Sequence, residues 1–334
     1  MSTFHDQLRQ FGGAPVGSMY GWKNGAKSWF VDGDISATDD GSCPDRAFAT
    51  ITEGIAAASA NDVIYIAPKA WTSIANGYPG LNTAYAESTS IAYAKSGLAI
   101  VGLGHQGFHG IPHGVVIRET ASATTANMAV YAPLCAFENL TFERGGTETG
   151  GQLVFKGGTA GTYEGHGGSV YNCYFYYGNG TTFSNTWGGS VQADQCWGLS
   201  VAKCYFLGCR VGISFQSGTW TAGAFVARDN IFASRLEDAT DIDADIYVYT
   251  QGSTNVVIIY NFFAHRLPNL SGGGIKQYVQ CTAAVRQGII SFNCIGDDTA
   301  GLTVGPTDAT AISCPDTVGR GPNWGVSALL ADSE

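Results

Sequence analysis

Charge is scarce in this sequence. Asp, Glu, Lys and Arg make up 13% of 334 residues, about half the roughly 25% usual in globular domains. The 17 Lys and Arg form no basic run, so the electrostatic footprint of a DNA- or RNA-binding protein is missing and no nucleic-acid partner is expected. The net charge of −10 disfavours a polyanionic glycan, because the long-range field repels it. No apolar run approaches the roughly 20 residues that span a bilayer, so no membrane contact is expected. The opening residues, Met1 to Gln10, carry no apolar stretch of the secretory-signal kind. Synthesis in a host cytoplasm and release by another route, such as lysis, are expected. The nine cysteines include no Cys-x-x-Cys pair, and their odd number leaves at least one unpaired within the chain. Thiols used as small buried hydrophobes fit a reducing cytosol. The body of the chain also lacks any helical periodicity sustained over ten or more residues.

What the sequence has instead is a motif that returns about every 30 residues. It reads Phe137-Glu138-Asn139-Leu140-Thr141-Phe142, Val170-Tyr171-Asn172-Cys173-Tyr174-Phe175 and Val201-Ala202-Lys203-Cys204-Tyr205-Phe206. It continues as Ala227-Arg228-Asp229-Asn230-Ile231-Phe232, Ile258-Ile259-Tyr260-Asn261-Phe262-Phe263 and Ile290-Ser291-Phe292-Asn293-Cys294-Ile295. The last positions, Phe142, Phe175, Phe206, Phe232, Phe263 and Ile295, lie 33, 31, 26, 31 and 32 residues apart. Such a period is the mark of a solenoid, in which each repeat buries its apolar face only by stacking on its neighbours. Short strands such as Gly212-Ile213-Ser214-Phe215 and Phe225-Val226-Ala227, with 46 glycines for turns, predict strand-built coils. Equivalent positions then stack, giving a Phe column and an Asn/Cys column in which Asn230, Asn261 and Asn293 bond one another.

Ahead of the periodic body the reading is more local. Residues 1–28, with Gly12-Gly13 and further glycines up to Gly25, predict a flexible arm. Ser28-Trp29-Phe30-Val31-Asp32 predicts a strand and Asp39-Asp40-Gly41-Ser42 a turn. Thr50-Ile51-Thr52-Glu53 is a capping box, followed by Ile51, Ile55 and Ala58 on one helical face. Asp62 to Pro68 and Leu98 to Val101 predict two more strands. Residues 29–305 are expected to form the solenoid, and 306–334 a C-terminal tail or cap.

The stretch Phe30-Val31-Asp32-Gly33-Asp34, Asp39-Asp40-Gly41-Ser42-Cys43-Pro44-Asp45-Arg46-Ala47-Phe48-Ala49-Thr50-Ile51 and Asp62-Val63-Ile64-Tyr65-Ile66-Ala67-Pro68 resembles the opening module of the pectate-lyase-like superfamily. The resemblance covers about 40 residues, and the coil period extends it to about residue 300. It implies an all-β, right-handed, single-stranded parallel β-helix whose short N-terminal helix caps the open end, as edge protection requires. That superfamily includes polysaccharide lyases, glycoside hydrolases, phage tailspikes and catalytically silent virion proteins, so the fold alone leaves function open. The N-terminal arm is similar to those of phage structural proteins. A virion location is therefore expected, with residues 1–28 docking onto other virion proteins. A homo-oligomer is expected, a trimer being one arrangement, and a cell-surface glycan is a candidate ligand. The alternatives are a polysaccharide depolymerase and a non-catalytic glycan-binding adhesin.

Candidate site residues fall in five groups. Asp241, Asp243 and Asp245 alternate with Ile242, Ala244 and Ile246, which on a strand puts three carboxylates on one face. They can be a solvated outer face, Ca²⁺ ligands, or the acid and base of a glycosidase. Trp187, Trp197 and Trp220 recur near successive coils and can stack on sugar rings, contact a partner or pack turns. Glu143-Arg144 and His265-Arg266 follow motif copies and pair an acid or imidazole with a base. His105, His109 and His113 are spaced by four, but Gly107, Gly110 and Pro112 deny them a helix, and no metal is expected there. Gly102-Leu103-Gly104-His105-Gln106-Gly107 matches G-x-G-x-x-G without a βαβ unit around it, which excludes dinucleotide binding.

Overall fold

The computed structural model describes residues 26–70, 83–104, 114–118, 126–143, 151–157, 164–176, 189–209, 211–217, 224–233, 244–250, 255–265, 277–281 and 287–297, with short strands at 10–11, 14–15, 312–313, 318–320 and 324–325. The chain winds through three parallel sheets of ten, nine and eight strands, here called sheets 1, 2 and 3. One coil runs Ala136–Glu138 in sheet 1, Leu140–Glu143 in sheet 2 and Leu153–Lys156 in sheet 3. It then returns to sheet 1 at Ser169–Tyr171. Each strand inside a sheet pairs with its equivalents one coil before and one coil after, as Phe137 does with Ile100 and Val170, and the terminal strands pair on one side. This is a parallel β-helix. Ten strands spaced by about 4.8 Å make a rod roughly 45 Å long.

The repeated motif spans the corner between sheets 1 and 2. Its inward columns are buried throughout: Ile100, Phe137, Val170, Val201, Ala227, Ile258 and Ile290 on sheet 1, and Phe142, Phe175, Phe206, Phe232 and Phe263 on sheet 2. Those five rings stack at centroid distances of 5.2, 4.9, 4.8 and 5.1 Å, nearly parallel. The strand spacing sets this distance, and each pair contributes about 0.5–1.5 kcal/mol beyond its burial.

Between the two strands the chain turns on one residue with left-handed backbone: Asn139, Asn172, Lys203, Asp229, Tyr260 and Phe292, with φ of 50–58°. The residue after it points inward, giving the column Leu140, Cys173, Cys204, Asn230, Asn261 and Asn293. The expected Asn ladder is present. Asn261 Nδ2 donates to Asn293 Oδ1 at 3.0 Å and to the Ala227 carbonyl at 3.1 Å. Its Oδ1 accepts from Asn230 N–H at 3.1 Å and from Asn230 Nδ2 at 3.0 Å. The left-handed residues face outward, so the late coils present Tyr260 and Phe292 as an exposed stacked pair, 5.2 Å apart.

The helix Ile51–Ala57 links the first two strands of sheet 1, Ser28–Val31 and Val63–Ile66. It takes the place that sheets 2 and 3 fill in later coils, and Ile51, Ile55 and Ala58 join the interior core. The predicted capping box forms, with Thr50 accepting from Glu53 N–H and Glu53 accepting from Thr50 N–H. The next coil pins both helix ends. Glu87 accepts from the N–H groups of Ile51 and Thr52, and Lys95 Nζ donates to the carbonyls of Ala56 and Ala58. These charges match the helix dipole in sign.

Strand pairing continues past residue 305. Ile312–Ser313, Val318–Arg320 and Trp324–Gly325 add one strand to each sheet, so part of the segment set apart as tail or cap extends the ladder. Within residues 1–28, Gln10–Phe11 and Ala14–Pro15 pair as a small antiparallel hairpin. Among the described residues, no helix is long and apolar enough to cross a membrane.

Candidate functional site

The corner from sheet 3 back to sheet 1 carries the most distinctive surface chemistry. In sheet 3, Leu153 and Phe155 point into the core, which sends Lys156 outward. One coil later Asp194 stands in register with it, and Lys156 Nζ meets Asp194 Oδ2 at 2.5 Å. Both side chains are partly exposed, so this pair stabilises the fold by only about 0.2–1 kcal/mol. Its charges are available at the surface for other partners.

The chain then turns twice, at Glu164-Gly165-His166-Gly167 and one coil later at Gln195-Cys196-Trp197-Gly198. Backbone bonds tie these turns to the strands. Gly165 N–H donates to the Lys156 carbonyl at 2.7 Å, and Gly157 N–H to the Asp194 carbonyl at 2.7 Å. Gly167 and Gly198 both have left-handed backbone, at φ 67° and 76°. A Cβ on Gly167 would sit 2.7 Å from Leu134 Cδ2, and one on Gly198 would sit 3.2 Å from Gly167 Cα. Glycine is what lets successive turns lie directly on one another.

That close stacking sets Trp197 over His166. Their rings are 5.2 Å apart and inclined by 21°. The Trp197 N–H donates to His166 Nδ1 at 3.2 Å, and the Gly167 N–H donates to the Trp197 carbonyl at 2.8 Å. Each turn thus holds the other. Because Nδ1 accepts, the neutral ring carries its proton on Nε2. Burial pulls the imidazole below its ordinary pKa, and the nearby Glu164 carboxylate opposes that pull. The balance favours the neutral imidazole. Trp197 keeps 52% of its surface exposed. The arrangement is a half-exposed aromatic pair whose turns are tied by backbone bonds to the strands that carry the Lys156–Asp194 ion pair.

The predicted site residues separate. Trp197 is exposed, and Trp187 and Trp220 lie outside the described residues. Of the carboxylates, Asp241 and Asp243 also lie outside them, and the described strand begins at Ala244. Asp245 is only 2% exposed, which corrects the expectation of an outward face for it. By register it falls between Gly212 and Tyr278. Tyr278 packs there on Phe263 at 5.5 Å. Among the described residues, no group of three metal-ligating side chains converges. Glu143 is buried and paired with Arg118 at 2.7 Å. Arg144, Arg266 and the three spaced histidines lie outside the described residues, as does the side chain of His265.

Sequence reasoning missed His166, Lys156 and Asp194. One signal was available: His166 precedes Trp197 by 31 residues, one coil period, so the two had to stack. No protein-family model matches the chain, and no curated protein matches it.

Proposed function

We propose that this chain is a structural subunit of a phage virion, a β-helical decoration, fibre or spike component docked through residues 1–28. The observation that carries the reading is the chemistry of the core. Cys135, Cys173, Cys196, Cys204, Cys209 and Cys281 are reduced thiols buried along a continuous stacked interior. They fill space as apolar side chains and require no oxidation, so the rod can complete itself in a reducing cytoplasm and then work outside the cell.

The exposed apolar side chains of Tyr260, Phe292 and Ile289 along one edge support assembly into a homo-oligomer. Immunogold microscopy on particles from a lysate of the source tests the proposal. Label on capsid or tail is expected, together with loss of incorporation when residues 1–28 are deleted. Particles without label, and protein free in the medium, would overturn it.

A further inference from the structure

We infer that His166 is an acid-sensitive latch: protonation of its imidazole releases the turn Gln195-Cys196-Trp197-Gly198 from the turn one coil before it. Trp197 is held near neutral pH and freed in acid. The inference goes beyond the virion reading and does not depend on it.

Three observations carry it. First, successive turns at this corner share one backbone tie, and one step adds a side chain to it. Gly97, Leu134 and Gly167 donate their N–H groups to the carbonyls of Pro133, His166 and Trp197, at 2.8, 2.7 and 2.8 Å. At the last of these steps a titratable side chain bonds as well, His166 Nδ1 accepting from Trp197 N–H at 3.2 Å. Second, the equivalent residues do without such a group. Pro133 has no N–H to satisfy, and the His166 N–H donates to the Glu164 carbonyl at 2.6 Å. Third, the added bond exists in one protonation state. A neutral imidazole with its proton on Nε2 accepts at Nδ1, whereas an imidazolium has donors on both nitrogens. Two N–H groups then meet head-on across 3.2 Å. Turning the ring over does not restore the bond, because it puts a carbon where Nδ1 stood.

The groups around the ring set the direction of the response. Burial disfavours the imidazolium, and Glu164, two residues earlier in the same turn, opposes burial with the smaller effect. The indole face also attracts a cation, but weakly at an exposed site. From the coil before come Tyr131, whose carbonyl accepts from Glu164 N–H at 2.9 Å, and the uncharged Pro133 and Leu134. From the coil of Trp197 come Cys196, its thiol buried in the core, and Asp194, paired with Lys156 on the strands that lead into the two turns. Once released, the ring regains water and the ordinary histidine pKa of about 6.5. Release therefore binds protons, and the freed turn gains population as pH falls toward and below that value.

The test is amide hydrogen exchange on the full chain at about pH 7.5 and 5.5, on either side of the imidazole range, with each rate divided by its intrinsic rate at that pH. Protection of the Trp197 amide falls about three- to tenfold on acidification. Gly167, which donates to the Trp197 carbonyl, loses protection with it. Ser200, bonded to the Gly168 carbonyl in sheet 1, keeps its protection, which separates local release from unfolding. In His166→Gln the amide oxygen accepts at every pH, and the change disappears. Nitrogen NMR of the wild-type imidazole gives a check that needs no variant: near neutral pH, Nδ1 is bare and Nε2 carries the proton. Equal Trp197 protection at both pH values, an equal fall in His166→Gln, a fall shared by Ser200, or a proton on Nδ1 near neutral pH would each overturn the inference.

Discussion

Replacing Asn261 by Ala is the sharpest test of what holds the coils together. The Asn261 amide takes part in four side-chain hydrogen bonds, two donated and two accepted, at 3.0–3.1 Å. Its side chain is buried, so water cannot replace them. The substitution removes the acceptor of the Asn230 N–H and a side-chain donor to the Ala227 carbonyl, and leaves Asn230 Nδ2 with one partner, Val201 O at 3.1 Å. At about 0.5–1.5 kcal/mol for each net hydrogen bond, the loss is about 2–6 kcal/mol. Two comparisons sharpen the reasoning. Asn261→Cys costs less, because Cys173 and Cys204 already occupy this column and point their thiols at backbone carbonyls. Asn261→Asp costs at least as much as Ala, because an acceptor-only carboxylate cannot donate to Ala227 or Asn293. Guanidinium unfolding gives the total, and amide exchange at Asn230 locates it. In a solenoid, where coils interact only with neighbours, protection falls most at Asn230 and least in the first coils. A loss below about 1 kcal/mol, or exchange that accelerates evenly along the rod, refutes a ladder of mutually dependent amides.

Three further outcomes are expected. Iodoacetamide labels Cys43 first in the folded protein, labels the half-buried Cys294 more slowly because burial raises its pKa, and spares the six buried thiols, among which burial raises the pKa of Cys173 and Cys196; mass spectrometry showing early labelling of Cys204 would contradict the packed column. Tyr260→Asn raises stability by up to about 1 kcal/mol in thermal unfolding, because Asn tolerates left-handed backbone better than an aromatic does, less the lost stack on Phe292. A large destabilisation would mean that the aromatic pair supports the fold. His166, with its pKa lowered on folding, binds fewer protons than the unfolded chain does. Stability is therefore lost as pH falls through about 6.5 and on down through the folded pKa. Subtracting the unfolding curve of His166→Gln from that of the wild type between pH 7.5 and 5.5, taken as a window about the imidazole range, isolates that slope, and a flat difference would refute it.

Much of the architecture was legible because stacking converts sequence spacing into spatial contact. The Phe positions recur once per coil, so their rings had to meet, and they do at 4.8–5.2 Å. The capping box at Thr50 and the Asn column were legible for the same reason: their partners lie three residues or one coil away. Asp245 was misread because alternation assumes a straight strand. At this position the side chain turns inward: a Cβ on the equivalent Gly212 would meet Phe232 at 2.6 Å, inside the core. The left-handed column was hidden by its diversity, since Asn, Lys, Asp, Tyr and Phe all occupy it. Only half of the aromatic pair could be read, because Trp197 attracts attention by its type while His166 matters through its coil position. The strands beyond residue 305 carry too little of the motif to be found by period.

The direction of the hydrogen bonds has a mechanical consequence. The bonds between coils lie along the rod axis and form three ladders around it. A pull on the two chain ends loads the outermost rung alone, so the molecule unzips coil by coil at low tension. Compression or bending instead loads all three ladders together and drives the stacked rings against one another. A rod bonded in this way resists compression better than tension.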